Sequence, residues 1–121
     1  MHLILLHGYL LQGTGSNIYV ANIAKAWKNQ GHAVTVVCQD PTSATLGFVD
    51  EFYGPAEVIP STSPSQGSIR VVVPDINGLL PVYVFDRYDG YQVKTIPEMS
   101  DQECQGHIDM TSDILRKVAE Q

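Results

Sequence analysis

Positive charge is scarce in this sequence: seven Lys and Arg stand against thirteen Asp and Glu, for a formal net charge of −6. The basic residues are spread thinly, so no stripe of Lys and Arg exists to neutralise a phosphate backbone, which argues against nucleic acid as a partner. Cysteine is nearly lacking. Cys38 and Cys104 show none of the short Cys or His spacing of a zinc site, so no metal ligand set is expected, and both read as buried thiols of a reducing compartment. Long apolar runs are lacking too. The opening Leu-Ile-Leu-Leu at 3–6 is far shorter than a signal-peptide core or a membrane span and has no basic flank, which points to a soluble, cytoplasmic protein. Catalytic signatures are missing as well: there is no G-x-S-x-G elbow, no H-E-x-x-H, and no cysteine with a nearby histidine in a loop. The sequence therefore names no catalytic residue.

What is present is one domain's worth of patterned chain, 121 residues with 44% hydrophobic side chains. The apolar run at 3–6 fits a strand buried on both faces, as in a parallel sheet. From Ser16 the period changes, and Val20, Ile23, Ala24 and Trp27 form the apolar face of a helix. Ser16 or Asn17 is expected to cap that helix and Gly31 to end it. Ala33–Cys38, rich in β-branched residues, follows as a second strand, completing a strand, helix, strand unit. Residues 41–68, with Pro41, Pro55, Pro60 and Pro64, lose all periodicity and read as a long loop with a short helical or aromatic turn near 49–53. Ile69–Val73 is a third strand and Val82–Phe85 a fourth apolar run. Asp89-Gly90 between that run and Tyr91–Ile96 predicts a hairpin. Ser100 and Glu103 form a capping box for a helix over 101–119.

The expected fold class is α/β: a Rossmann-like parallel sheet with flanking helices. In such a sheet a further strand should follow the last helix and lie beside the first strand. The sequence stops before one, which predicts either a partial domain or a homo-oligomer that hides the open edge.

Several constellations could carry chemistry. Gly13 and Gly15, between the first strand and its helix, place backbone N–H groups where a phosphate could sit, or simply let the chain turn. A side chain at Gly15, as in Gly15→Val, is then expected to hurt ligand binding far more than folding. Asp40 stands where a dinucleotide fold keeps its ribose acid, but Ile18 occupies the third glycine position and the turn from Leu6 to Gly13 is too long. A phosphate loop of the Gly-Lys-Ser/Thr type is not present. His7 sits at the carboxyl end of the first strand, either as a base or donor to a sugar hydroxyl or tucked against the loop to satisfy the backbone. Asp86-Arg87-Tyr88-Asp89-Gly90-Tyr91 combines carboxylates, an arginine and aromatic faces, a set suited to carbohydrate or another polar acceptor.

The stretch HLILLHGYLLQGTGSNIYVANIAKAWKNQGHAVTVVCQD resembles the start of the amino-terminal domain of glycosyltransferase family 4, the retaining "group 1" enzymes of the GT-B fold. The junction G-H-A-V-T-V after the helix is the more specific part, and LPVYVFDRYDGYQVKTIPEMSDQE resembles a subset of these enzymes. The resemblance implies that residues 1–121 are a partial amino-terminal, acceptor-side domain, with the carboxy-terminal donor domain or a partner subunit supplying the rest. It implies a nucleotide-sugar as substrate with no separate cofactor, a sugar, lipid or other small-molecule acceptor, and a cytoplasmic site that can be peripheral to the membrane. By the same resemblance Gly13, Thr14, Gly15 and Ser16 are the donor-phosphate or acceptor loop, and His7, Tyr9, Asp86, Arg87 and Tyr88 are candidate acceptor contacts. The sequence departs from the family in lacking an adjacent glycine pair, the acid that often follows it, and the carboxy-terminal E-x7-E segment. A chain without that segment is expected to be inactive alone. Two alternatives stand beside this reading: a non-enzymatic α/β module that dimerises through its edge, and a small nucleotide-binding protein using Gly13, Gly15 and Asp40.

Overall fold

The computed structural model describes residues 1–13 and 15–121. Its elements in chain order are β1 (His2–Leu6), α1 (Ser16–Asn29), β2 (Ala33–Val37), β3 (Glu51–Tyr53), β4 (Ile69–Val72), β5 (Leu79–Val82), β6 (Gln92–Thr95) and α2 (Asp101–Ala119). Four strands form a parallel sheet in the order β1-β2-β4-β3, with Leu5 opposite Val36 and Val36 opposite Val71. The fold is α/β, a parallel sheet flanked by helices, and is compatible with a Rossmann-like arrangement.

The central strands explain the sheet. Every residue of β2 and β4 is buried, so their near-continuous Val and Ile content is what two covered faces require. Val34, Val36, Cys38, Ile69 and Val71 point to one face, where Ala24 of α1 and Leu11 close the core with Val20 and Trp27. Val37 and Val72 point to the other face, against Val118, Ile114 and Leu115 of α2. A fully buried Val or Ile contributes about 1.5–3 kcal/mol, so these two faces carry most of the apolar stabilisation. Burial also pushes the Cys38 thiol up to about 12, which makes it inert at neutral pH; Cys104 on α2 is only half-buried.

Several expectations are corrected. The segment 41–68 is not loop throughout. Ser43–Thr45 forms a 3-10 turn, and the anticipated helical turn near 49–53 is instead the strand β3, paired in parallel with β4. Pairing wins because Leu46, Phe48, Val49 and Phe52 can then cover the core, and because Asp50 accepts from the Ile69 N–H at 2.8 Å and from Lys28 Nζ at 2.7 Å.

The predicted hairpin is absent. A turn does form at Asp89-Gly90, but β5 is Leu79–Val82 rather than Val82–Phe85, and it pairs with β6 in parallel. This register buries Leu80 and Val82 against Ile76, Val93 and Met110, and leaves Tyr83, Val84 and Phe85 exposed. Pro81 is tolerated because each strand of a two-stranded sheet has a free edge.

The cap of α1 is also different: Gly15 occupies the N-cap, and no side chain there accepts a backbone N–H. The other helix signals hold. Gly31 has φ 85 just past the end of α1, and on α2 the Ser100 hydroxyl accepts from Glu103 N while Glu103 accepts from Ser100 N at 2.9 Å. Lys94 on β6 reaches the same carboxylate at 2.9 Å and ties the small sheet to α2.

β1 lies at the end of the sheet, hydrogen-bonded to β2 alone. Its face on the α2 side is uncovered, with Ile4 36% and Leu6 54% exposed, contrary to the burial on both faces expected of the run at 3–6, because among the described residues no strand pairs beyond it and α2 covers β2 and β4 instead. Among the described residues no helix is long and apolar enough to cross a membrane.

Two histidines give the fold a pH dependence. His2, bonded to the Thr35 hydroxyl at 2.8 Å, is held below its ordinary value of 6.5 by burial and then by Arg70 and the amino terminus. Burial lowers His107 in the same direction. The unfolded chain therefore binds protons that the folded chain refuses, so this stability is present above pH 6.5 and falls as pH drops below it. Glu103, held below 4.5 by the Ser100 N–H and then by Lys94, adds a second loss as pH falls below that value. Melting midpoints measured from pH 8 to pH 4 are expected to be flat at the top and to fall in two stages. Substituting Gln at both histidines should remove the first stage only.

Candidate functional site

Ligand sites in open parallel sheets form outside the carboxyl ends of the strands. Here that end gathers three segments: the chain after β1, the chain after β2, and the connection from β5 to β6. The first two are joined by the Gln39 N–H donating to the Tyr9 carbonyl at 2.8 Å. The third is joined by the Tyr91 hydroxyl donating to the Gln39 carbonyl at 2.7 Å.

Asp40 organises the first wall. It is 2% exposed, and its Oδ2 accepts from the Leu11 N–H at 3.1 Å and from Gln12 Nε2 at 3.5 Å. Its Oδ1 accepts from the Thr42 N–H at 3.0 Å and the Thr42 hydroxyl at 2.6 Å. Gln12 Nε2 also donates to Thr42 Oγ1 at 2.9 Å. Both carboxylate oxygens are therefore spent on the chain itself. Asp40 is a loop anchor, which removes the ribose role that its position in the sequence suggested.

His7 is buried and its Nε2 lies 2.9 Å from Asn17 Oδ1. Asn17 Nδ2 donates to the Gln12 carbonyl at 2.7 Å, which fixes the amide orientation and makes His7 Nε2 the donor. His7 is thus tucked inward, but it bonds the Asn17 side chain of the first turn of α1 rather than backbone groups. Its ring meets Tyr9 edge-on at 5.8 Å, and Tyr9 stacks on Tyr88 with centroids 6.1 Å apart and planes 10° from parallel.

These contacts enclose a cleft of about 430 Å³ between the glycine loop, the Asp40–Thr42 turn and residues 86–91. Gly13 and Asn17 line one side; Asp86, Arg87, Tyr88, Asp89 and Tyr91 line the other. The cleft thus unites Gly13 with Asp86, Arg87 and Tyr88, residues far apart in sequence, with Tyr9 and His7 behind Tyr88. Gly15 at the N-cap and Ser16 at the start of α1 are exposed and do not line it. Thr14 lies outside the described residues. Gln12, Asn17, Pro41 and Thr42 are lining residues that sequence reasoning did not assign to a site. A signal existed in Asp40-x-Thr42-Ser43, a run of side chains that fold back on their own backbone in turns.

Charge in the cleft is distinctive. Among the described residues Lys28, Arg70, Lys94, Arg116 and Lys117 each pair with a carboxylate, and Lys25 lies over the Phe48 ring at 5.3 Å. Arg87 has neither kind of partner, although Asp86 and Asp89 flank it in the chain. Burial, then Asp86 and Tyr9, raise the Tyr88 phenol above 10; burial, then Cys38 and Asp40, do the same for Tyr91. Both phenols stay neutral at physiological pH; Tyr91 gives its proton to Gln39, and the Tyr88 hydroxyl can donate. No group of three His, Cys, Asp or Glu converges on a metal position among the described residues.

Gly15 has φ 61 and ψ −127, a combination that glycine alone adopts readily, while an added Cβ would meet no atom within 4 Å. The damage from a side chain there is conformational, contrary to the binding-selective effect expected from sequence. Gly15→Val should cost about 1–3 kcal/mol of stability, read as a lowered melting midpoint whether or not a ligand is present.

Comparisons with protein-family models, curated proteins and solved structures give no match to this chain.

Proposed function

We propose that this chain is the acceptor-side, amino-terminal portion of a family 4 glycosyltransferase, an incomplete GT-B domain working in the cytoplasm. It would hold an acceptor while a sugar is transferred to it from a nucleotide-sugar. The observation that carries the reading is the cleft at the carboxyl ends of the parallel strands, which unites Gly13 with Asp86, Arg87 and Tyr88. Both lie within the stretches 2–40 and 80–103 that resemble the family, of which the G-H-A-V-T-V junction at 31–36 is the more specific part.

The chain's own residues would bind and orient. Tyr88, fixed by Tyr9, offers an aromatic face; Asp86 and Asp89 accept from hydroxyls; Arg87 donates. Stabilising the leaving diphosphate needs positive charge that this cleft does not concentrate, so a carboxy-terminal domain or partner subunit would supply it. The chain alone should then transfer no sugar from labelled nucleotide-sugars.

Calorimetry with NAD and a flavin tests this against the nucleotide-binding alternative. Dissociation constants weaker than about 1 mM are expected, since Asp40 is not free to hold a ribose. Micromolar binding of either would replace this reading.

A second reading, the edge-pairing module, is favoured by one observation: β1 has a free edge and exposes Ile4 and Leu6. Sedimentation decides it. A dimer that Leu6→Lys converts to monomer, with melting unchanged, would favour association through β1. A monomer at all concentrations would remove that module.

A further inference from the structure

The chemistry of the cleft narrows the ligand further, on the premise that the cleft is the acceptor site. Of its ionisable lining groups, Asp40, Asp86 and Asp89 are carboxylates and Arg87 is the one cation, so an anionic ligand would enter a field of its own sign. Asp40 is committed to the chain, whereas Asp86 and Asp89 are exposed and Asp86 spends one oxygen on the Arg87 N–H at 2.7 Å. A carboxylate is an acceptor with about four lone-pair sites, suited to two neighbouring hydroxyls.

The walls also argue against a lipid chain. Gln12, Asn17 and Thr42 interrupt the apolar surface of Leu10 and Pro41, leaving no continuous greasy strip for an acyl tail. What remains apolar is mainly aromatic. Tyr88 is held from behind by Tyr9, and Tyr91 is anchored through its hydroxyl to Gln39, so two rings present fixed positions. A ring with an apolar C–H face and a rim of hydroxyls meets both features at once. The volume, about 430 Å³, lies in the lower part of the range that holds small ligands.

We infer that the acceptor is an uncharged cyclic polyol, a small sugar or a cyclitol, gripped between Tyr88 and the Asp86 and Asp89 carboxylates with Arg87 as donor. Anionic acceptors such as sugar phosphates and phospholipid headgroups are discriminated against by the two carboxylates.

The test uses the isotopically labelled chain in nuclear magnetic resonance titrations. Probes are methyl β-glucoside, myo-inositol, glucose 6-phosphate and vesicles of phosphatidylinositol. At least one of the two neutral polyols should shift the amide signals of Gly13 and residues 86–91, with a dissociation constant of about a millimolar, the scale of a few solvent-exposed hydrogen bonds. Asp89→Asn, at an exposed position, should weaken that binding about tenfold, the worth of one charged hydrogen bond, without moving the melting midpoint. Tyr88→Phe should keep most of the affinity and Tyr88→Ala should lose it.

Tighter binding of glucose 6-phosphate, abolished by Arg87→Ala, would overturn the polyol inference and leave the acceptor-side reading standing. Binding to the vesicles through the cleft would do the same in favour of a lipid acceptor. No shift with any probe would overturn both.

Discussion

Asp40→Ala is expected to lower the melting midpoint by about 12 °C and to erase the cleft. The size follows from what the carboxylate holds: the Leu11 and Thr42 N–H groups, the Thr42 hydroxyl and the Gln12 amide. Hydrogen bonds to charged groups contribute about 1.5–3 kcal/mol, and the buried Leu11 N–H would lose its acceptor outright. Even with water replacing the outer bonds, a net loss of about 3 kcal/mol is expected, or roughly 4 °C for each kcal/mol in a domain of this size. Asp40→Asn keeps one oxygen acceptor and should lose about half as much. Thermal melts of the two variants provide the check. Equal, small losses would mean that the turn is held by the Ser43 bonds to the Asp40 carbonyl instead.

Arg70→Ala should cost about 2–3 kcal/mol, the worth of its charged hydrogen bonds, since the Glu51 carboxylate left behind is 31% exposed and can be hydrated. Arg70 is 3% exposed, inside a strand that otherwise carries Ile and Val. Its Nε and Nη2 donate to Glu51 at 2.7 Å, Nη1 donates to the Thr62 carbonyl at 2.6 Å and to Gln121 Oε1 at 3.2 Å, and the guanidinium lies over Tyr53. One side chain thus joins β4 to β3, to residues 60–62 and to the last residue, whose own amide donates to the Pro60 carbonyl at 2.6 Å. Removing it should free the segment from 54 to 66, so limited proteolysis should cut there first. Arg70→Met, which fills the volume without a charge to satisfy, should be distinctly milder. An equal loss for Met and Ala would show that packing, not the polar network, holds the segment.

The parts of the fold legible in the sequence are those whose signal is local. A four-residue apolar run, a helix with its apolar face at Val20, Ile23, Ala24 and Trp27, and a capping box at Ser100 and Glu103 each carry their meaning within a few residues, and each appears where expected. β3 was hidden because three residues cannot display a period, and its pairing with β4 is decided by Asp50 and Arg70 rather than by its own composition. The parallel pairing of β5 and β6 was hidden for a related reason. The Asp-Gly turn signal is real, yet it acts inside a connection whose direction is set by burying Leu80 and Val82. The members of the site were visible separately as a glycine loop and a polar aromatic cluster. Their meeting depends on Tyr9, Gln39 and Tyr91, whose contacts span segments that sequence spacing cannot relate.

The free edge of β1 also has a thermodynamic side. Leu6 ends the strand and the buried His7 follows it, bonded to Asn17, which lines the cleft, so the same short backbone stretch carries both the sheet margin and a support of the cleft. A strand that adds to that margin would stiffen the mount of His7, Asn17 and Tyr9, and a ligand that orders those three would stiffen the margin. Reciprocity of binding free energies then requires each event to strengthen the other by the same factor. If both the cleft and the β1 edge are occupied as proposed, the affinity of one is then coupled to the occupancy of the other.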